Sequence, residues 1–402
     1  VSASPKTALL PADEALVIVL ANAAPLPAQQ VPLADAAGRF LAEPMYAAIE
    51  LPPFTNSSMD GYAVRAADTP GTLAVVGESA AGSPYAGTLA RGEAVEISTG
   101  AALPAGADAI ATIEEVSAVP GADTIIVPQV EAERFVRRAG SDSAQGAQIL
   151  PAGIRLGPAQ IGAAAAVGLR SLPCGCLPSV AILTTGSELR QPGERLAPGE
   201  IYDSCGPLLM AALHRVGATV THIPTAVDTP RALREALSLA LSHDVVISSG
   251  GVSIGPHDLV RSIGAELGVH ELFWKIKLRP GKPLSFGIRD RTLVFGLPGN
   301  PVSTLVCFEL FVRPALQALQ GAANPRLAFQ TGVLASAVSR YAERDDLIRV
   351  RRDAQGRLAP VAGQQSHQIV FTAQADGLAR IPAGNGELPA GSEVAYLPLH
   401  PA

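Results

Sequence analysis

The sequence predicts a multidomain α/β and β protein. A doubly wound α/β domain is joined to an elongated helical domain, an inserted β-domain and a C-terminal β-domain. Three observations carry this expectation. Between Ser179 and Gln317, short β-type apolar runs alternate with helical stretches, and glycine loops follow the strands, the pattern of a doubly wound sheet. Residues 70–135 hold only short β-type runs between turns, and the chain beyond about residue 330 does the same without a helix signal. Helical composition near the N-terminus returns at 151–168, so the β-module reads as an insertion between two halves of one domain.

Bulk properties narrow the function. A chain of 402 residues exceeds one ordinary core and suits about three or four domains. With 48% hydrophobic and 16% charged residues it is a folded globular protein rather than a disordered one. A net charge of −6 argues against nucleic acid as the main partner. No apolar run reaches membrane-span length, Leu16–Leu20 being too short, so no membrane is expected. Val1 stands where an initiator methionine would, consistent with missing or processed residues ahead of it. Cys174, Cys176, Cys205 and Cys307 form neither a zinc pattern nor a disulfide framework, and a cytoplasmic setting is the simplest.

Taken in order, Ala12–Ala24 has helical spacing with Asp13 and Glu14 in the first turn, where the helix dipole favours acids. Pro25, Pro27 and Pro32 break it. Asn56–Tyr62 reads as a functional loop in which Asp60 offers a carboxylate and Gly61 permits close approach. Strands are expected at Leu73–Val76, Glu93–Ser98, Ile110–Ile113 and Thr124–Val127. Thr99 and Gly100 end one of them, and the Arg137–Asp142 stretch follows the module. Residues 171–178, rich in glycine, proline and cysteine, read as a linker. In the α/β region strands are expected at Val180–Leu183, Thr219–Ile223, Asp244–Ser248 and Leu293–Phe295, with helices at Gly206–Val216, Pro230–Leu241 and Val302–Gln317. In the last domain Ser366-His367 and the stretch 375–382 offer surface contacts, with a structural role the stronger expectation.

The loops point to a phosphorylated ligand. Asn300 as N-cap and Pro301 at the first helical position, with Gly296 and Gly299, aim backbone N–H groups at an anion. Ser248, Ser249, Gly250, Gly251 and Ser253 offer hydroxyls and close-approach backbone of the same kind. Glu188, Asp203, Asp228 and Asp258 fall near the carboxyl ends of strands, where such sheets bind ligands. Carboxylates there would repel a phosphate unless a hard cation such as Mg²⁺ intervened.

A second anion site is expected at Trp274–Pro283, W-K-I-K-L-R-P-G-K-P. The chain has four lysines, and Lys275, Lys277 and Lys282 all lie here beside the single tryptophan. The pattern reads as a strand presenting Lys275, Lys277 and Arg279 on one face, followed by a Pro280-Gly281 turn presenting Lys282. Three cations on one face suit a small oxyanion. No Walker loop, dinucleotide fingerprint, nucleophile elbow or H-E-x-x-H pair is present.

Seven motifs in one order resemble the MoeA-type molybdopterin molybdenumtransferases, a family that includes the E domain of gephyrin. They are P-P-F-T-N-S-S-M-D-G-Y-A (52–63), T-G-A-A-L-P-A-G-A-D-A-I (99–110), T-G-S-E-L (185–189), G-E-I-Y-D-S (199–204), S-S-G-G-V-S-I-G-P-H-D (248–258), K-L-R-P-G-K-P (277–283) and G-L-P-G-N-P (296–301). The resemblance implies a homodimer that inserts molybdate into adenylylated molybdopterin with release of AMP, using Mg²⁺. It implies an elongated domain of residues 1–26, 44–54 and 137–175, and an inserted β-rich domain of 27–43 and 55–136. The α/β molybdopterin-binding domain then spans 176–325 and the C-terminal β-domain 328–402. Motif positions tied to catalysis are Asp60, Thr99, Asp142, Glu188, Asp228 and Asp258, with Glu188, Asp228 and Asp258 as metal ligands. Ligand contacts fall to Gly186, Ser249, Gly250, Gly251, Ser253, Lys275, Arg279, Lys282, Pro298, Gly299, Asn300 and Pro301. A molybdopterin adenylyltransferase is a candidate partner. Arg279 stands where many relatives have lysine, and Ser187 replaces an acid. Two rival readings are a non-catalytic gephyrin-like scaffold and a molybdopterin adenylyltransferase, the latter similar only over residues 179–320.

Overall fold

The computed structural model describes residues 9–226, 229–250, 259–326 and 329–399. Its centre is a six-stranded sheet in the order Thr219–Ala226, Ser179–Thr185, Val245–Ser249, Thr292–Leu297, Ser285–Arg289, His270–Trp274. The first four strands are parallel and the last two antiparallel. Val180, Ile182, Val245 and Ile247 on one face and Ala181, Leu183 and Val246 on the other are fully buried, as expected for strands covered on both faces. Phe286 packs against Phe295 with tilted rings and centroids 4.9 Å apart, and each such side chain contributes about 1.5–3 kcal/mol through burial. After Ser179–Thr185 the chain places its next strand on one side and the following strand on the other. That reversal opens a crevice above the carboxyl ends of Ser179–Thr185 and Val245–Ser249.

Helices Cys205–Arg215, Pro230–Ala240 and Leu259–Glu266 flank this sheet. The helical stretch Pro301–Leu319 is 19 residues long, and 83% of its most apolar window is buried. Among the described residues it is the one helix long and apolar enough to cross a membrane, and here it is core. A π-helical turn at Phe308–Val312 interrupts it, placing buried Glu309 between Arg215 and Arg313.

The inserted module has a six-stranded sheet in the order Ala109–Thr112, Gly61–Val64, Glu93–Ile97, Gly71–Ser79, Thr124–Val127, Ser117–Ala118. Around it the expected helical region holds few helices. The described helices there are Ala12–Asn22 and Pro158–Ala166, beside two-stranded sheets such as Ala28–Pro32 with Ser171–Gly175. The 171–178 segment is therefore partly strand, because its alternating residues Leu172 and Cys174 are buried. The two helices also do not share a core. Ala15 and Val19 pack with Phe311 and Leu319, whereas Ala164 packs with Val31, Leu41 and Leu172.

The C-terminal sheet runs Leu278–Arg279, Asp345–Arg352, Gly377–Ile381, Glu393–Pro398, Gln330–Val333. Its edge strand is borrowed from the basic segment of the α/β domain. Leu278 pairs with Asp345 and Arg279 with Asp346, in parallel. A short helix, Ile369–Thr372, also occurs in this domain, where no helix was expected.

Candidate active site

A cleft of about 640 Å³ occupies the crevice at the strand ends. Gly186, Glu188, Ser249, Gly250, Gly299, Asn300 and Pro301 line it, so the structure brings these sequence-predicted residues together. Gly250 has φ +91°, and a Cβ there would lie 2.6 Å from the Thr185 carbonyl oxygen. Only glycine lets these two strand ends meet. Asp228, Gly251, Ser253 and Asp258 lie outside the described residues.

Among the described residues two carboxylates line this cleft, Glu188 and Asp203. Asp203 is only 2% exposed. Its Oδ1 accepts the Gly206 N–H at 2.9 Å, while its buried Oδ2 has no hydrogen-bond partner. An unpartnered buried carboxylate oxygen beside a second carboxylate is a donor set suited to a hard cation. Among the described residues no group of three metal-binding side chains converges.

A second cleft of about 330 Å³ adjoins the first. Its cations are Arg279, Lys282 and Arg344, and Pro298, Asn300, Gln365 and Ser366 complete the lining used here. Asn300 lines both clefts. Its Nδ2 donates to Ser366 Oγ at 3.0 Å, and the Val302 N–H donates to the Ser366 carbonyl at 3.1 Å. Asn300 thus sits at the N-cap position but makes no side-chain cap. The first N–H of the helix is already taken by the C-terminal domain, so the anion cradle is smaller than the N-P pair suggests.

The basic segment differs from a single strand. Strand His270–Trp274 ends at Trp274, and Lys275 adopts φ 71°, which turns the chain out of the pleat and breaks the side-chain parity. The Lys277 N–H then donates to the Leu10 carbonyl at 2.7 Å, and Leu278–Arg279 joins the C-terminal sheet. Lys275, Lys277 and Arg279 therefore do not share one strand face. Lys275 Nζ lies 3.5 Å from the Trp274 ring centroid, and Lys275 is not among the residues lining either cleft. Arg279 does reach the basic cleft, but it is partly engaged. Its Nη1 donates to Asp346 at 3.2 Å, and its guanidinium stacks on Tyr341 at 3.9 Å. Burial pushes the Asp346 carboxyl above its ordinary value, and Arg279, Arg349 and Arg344 oppose that shift.

The C-terminal domain contributes what sequence reasoning missed. Arg344, Gln364, Gln365 and Ser366 line the basic cleft, and His367 lines the larger one. Buried Arg349 fixes their loop by donating to the carbonyls of Gly363 at 2.8 Å and Gln365 at 3.2 Å. Burial pushes its guanidinium down to about 10. The available signal was the Q-Q-S-H run itself, polar and unlike its β-rich surroundings.

Asp60, Thr99 and Asp142 line neither cleft of their own chain. Asp60 Oδ1 accepts the Thr99 N–H at 2.7 Å. That backbone bond, with the Thr99 hydroxyl, holds the exposed carboxyl below its ordinary value. The structure pairs Asp60 with Thr99 and places neither in the lining of the α/β clefts.

The α/β region, residues 181–318, matches the description "Probable molybdopterin binding domain". This places the cleft-bearing domain in the family of probable molybdopterin-binding domains. Residues 10–168 match the MoeA N-terminal region (domain I and II), and residues 331–399 the MoeA C-terminal region (domain IV). Molybdopterin molybdenumtransferase 2 of Mycobacterium tuberculosis is 36% identical, over 90% of this chain and 93% of that relative. The molybdopterin molybdenumtransferase of Haemophilus influenzae is 32% identical, over 94% and 95%. The crystal structure of the molybdopterin biosynthesis MoeA protein from Pyrococcus horikoshii superposes with a TM-score of 0.84 at 32% identity, covering 98% of this chain and all of that one. The chain belongs to the molybdopterin molybdenumtransferase (MoeA) family.

Proposed function

We propose that this transferase of molybdenum cofactor biosynthesis works through two adjoining clefts of opposite charge. It inserts molybdate into adenylylated molybdopterin and releases AMP. The observation that carries the reading is the shared wall, Asn300 bonded to Ser366, with carboxylates on one side and three cations on the other. Arg279, Lys282 and Arg344 bind the tetrahedral dianion, whose desolvation needs two or more charge-assisted donors to offset it. Gly186, Gly250 and Gly299 let the backbone approach the phosphates of the pterin substrate. Glu188 and Asp203, with Asp228 and Asp258, are the residues that would hold Mg²⁺. Bound there, Mg²⁺ supplies charge neutralisation on the phosphoanhydride.

The Asp60–Thr99 unit belongs to a homodimer reading, in which it completes the partner's cleft. Phe54 and Met59 flank Asp60 and are 47% and 38% exposed, while Ile201 and Tyr202 at the cleft are 54% and 44% exposed. These exposed apolar side chains near Asp60 and at the cleft are what a second copy would cover in that reading. Cytoplasmic location and delivery of the pterin by an adenylyltransferase complete the proposal. The adenylyltransferase reading of this chain itself leaves Arg344, Ser366 and His367 without a role, and the scaffold reading leaves both clefts without one. Purified protein incubated with adenylylated molybdopterin, Mg²⁺ and molybdate should release AMP. Absence of AMP when all three are supplied rejects the reading.

A further inference from the structure

The larger cleft presents an imbalance of charge. Its described lining includes two carboxylates but no lysine or arginine. A ligand carrying a phosphoanhydride needs donors on the side away from those carboxylates, and backbone N–H groups are part of that supply. His367 is the one lining side chain, among the described residues, able to carry a positive charge. Even the neutral imidazole keeps one N–H donor.

The way His367 is held points in the same direction. Its neighbour Ser366 is anchored twice on the helix start, through Asn300 Nδ2 at 3.0 Å and the Val302 N–H at 3.1 Å. Behind it, Arg349 grips the Gly363 and Gln365 carbonyls, and the Gln364 side chain bonds both the N–H and the carbonyl of Arg349. The backbone around His367 is therefore fixed from both sides. The imidazole itself is exposed and has no hydrogen-bond or ion-pair partner among the described residues. A pinned backbone carrying an uncommitted donor into a cleft from another domain is a preorganised ligand contact.

We infer that His367 is a substrate-binding residue that donates a hydrogen bond to the phosphate of the adenylyl group, so that the C-terminal domain takes part in nucleotide recognition. This rests on the proposed function, which supplies the adenylylated substrate. The domain thereby reads both halves of the ligand set, through Arg344 in the basic cleft and His367 in the larger one. Because His367 is exposed, its replacement should leave the fold intact, and thermal melting serves as the control.

The test uses calorimetric titration of the full chain with AMP and, separately, with adenosine. His367→Ala should weaken AMP binding about tenfold, the loss of one charged hydrogen bond at its lower range, and leave adenosine unchanged. His367→Asn, which keeps an N–H donor, should recover part of the loss. Equal weakening of AMP and adenosine overturns the inference, since the side chain would then act on the base or on the fold. Unchanged AMP binding in His367→Ala overturns it as well, leaving the function reading intact. Wild-type protein that binds no AMP overturns both together.

Discussion

The two clefts lie on either side of one hydrogen bond, from Asn300 to Ser366, yet they are assembled in different ways. Gly186, Glu188, Ser249, Gly250 and Gly299, on the larger one, come from loops at the carboxyl ends of neighbouring parallel strands. Topology alone gathers them. The cations of the basic cleft come from a turn at 279–282 and from Arg344 in another domain, joined because Leu278–Arg279 serves as an edge strand of the C-terminal sheet. A site built on one sheet is fixed by its fold class. A site built across a domain junction is fixed by packing that no local pattern announces.

The comparison is broken most severely by Glu188→Gln. Removing the charge while keeping the side-chain volume should lower AMP release about a hundred- to a thousandfold, the range for losing a group that stabilises developing charge. The molybdate concentration giving half-maximal rate should stay where it is. Steady-state kinetics with molybdate varied checks both statements.

Charge removal on the other side should act differently. Lys282→Ala and Arg344→Ala should each raise the half-saturating molybdate about ten- to a hundredfold, the cost of one charged hydrogen bond. AMP affinity should not change. Arg349→Ala sharpens the contrast, because Arg349 holds the loop that serves both clefts. It should weaken molybdate and AMP together, by a similar factor of several-fold, as read by parallel titrations. Loss in one cleft only would show that the loop is not a common support.

Lys275 marks the limit of reading a site from the sequence. Strand parity and the family resemblance both made it an expected oxyanion ligand, but the strand ends at Trp274 and Lys275 turns left-handed, so the strand never carries the 275–279 segment. Nothing in K-x-K-x-R signals that turn, after which Ile276 bridges to Leu10, far away in the sequence. Held over Trp274, Lys275 supplies a cation–π contact of about 0.5–1 kcal/mol. Lys275→Ala should therefore shift the molybdate requirement by no more than about fivefold. By contrast, the strands at 180–183, 245–248 and 293–295 were legible to within about two residues. Their apolar runs are buried, Val294 only in part. Arg344 stayed hidden because a single residue in a β-rich domain carries no pattern of its own, and His367 read as structural despite the polar Q-Q-S-H run that holds it.

The smallest expected effect separates the outlying Asp60 from both clefts. Its folded-state pKa is lowered by the Thr99 bond. The stabilisation is therefore present above the unfolded carboxylate value and lost as pH falls through the lower folded value. The stability difference between wild type and Asp60→Asn should shrink across that acidic window, as followed by thermal melting against pH. A difference that grows on acidification would contradict the sign.

The division of labour between the clefts is tested most directly by a molybdate titration of AMP release with the Arg344→Ala protein. The two-cleft account predicts a half-saturating molybdate about ten- to a hundredfold higher than wild type, with the maximal rate retained at saturation. An unchanged half-saturation, or a fall in maximal rate without any shift, would contradict it.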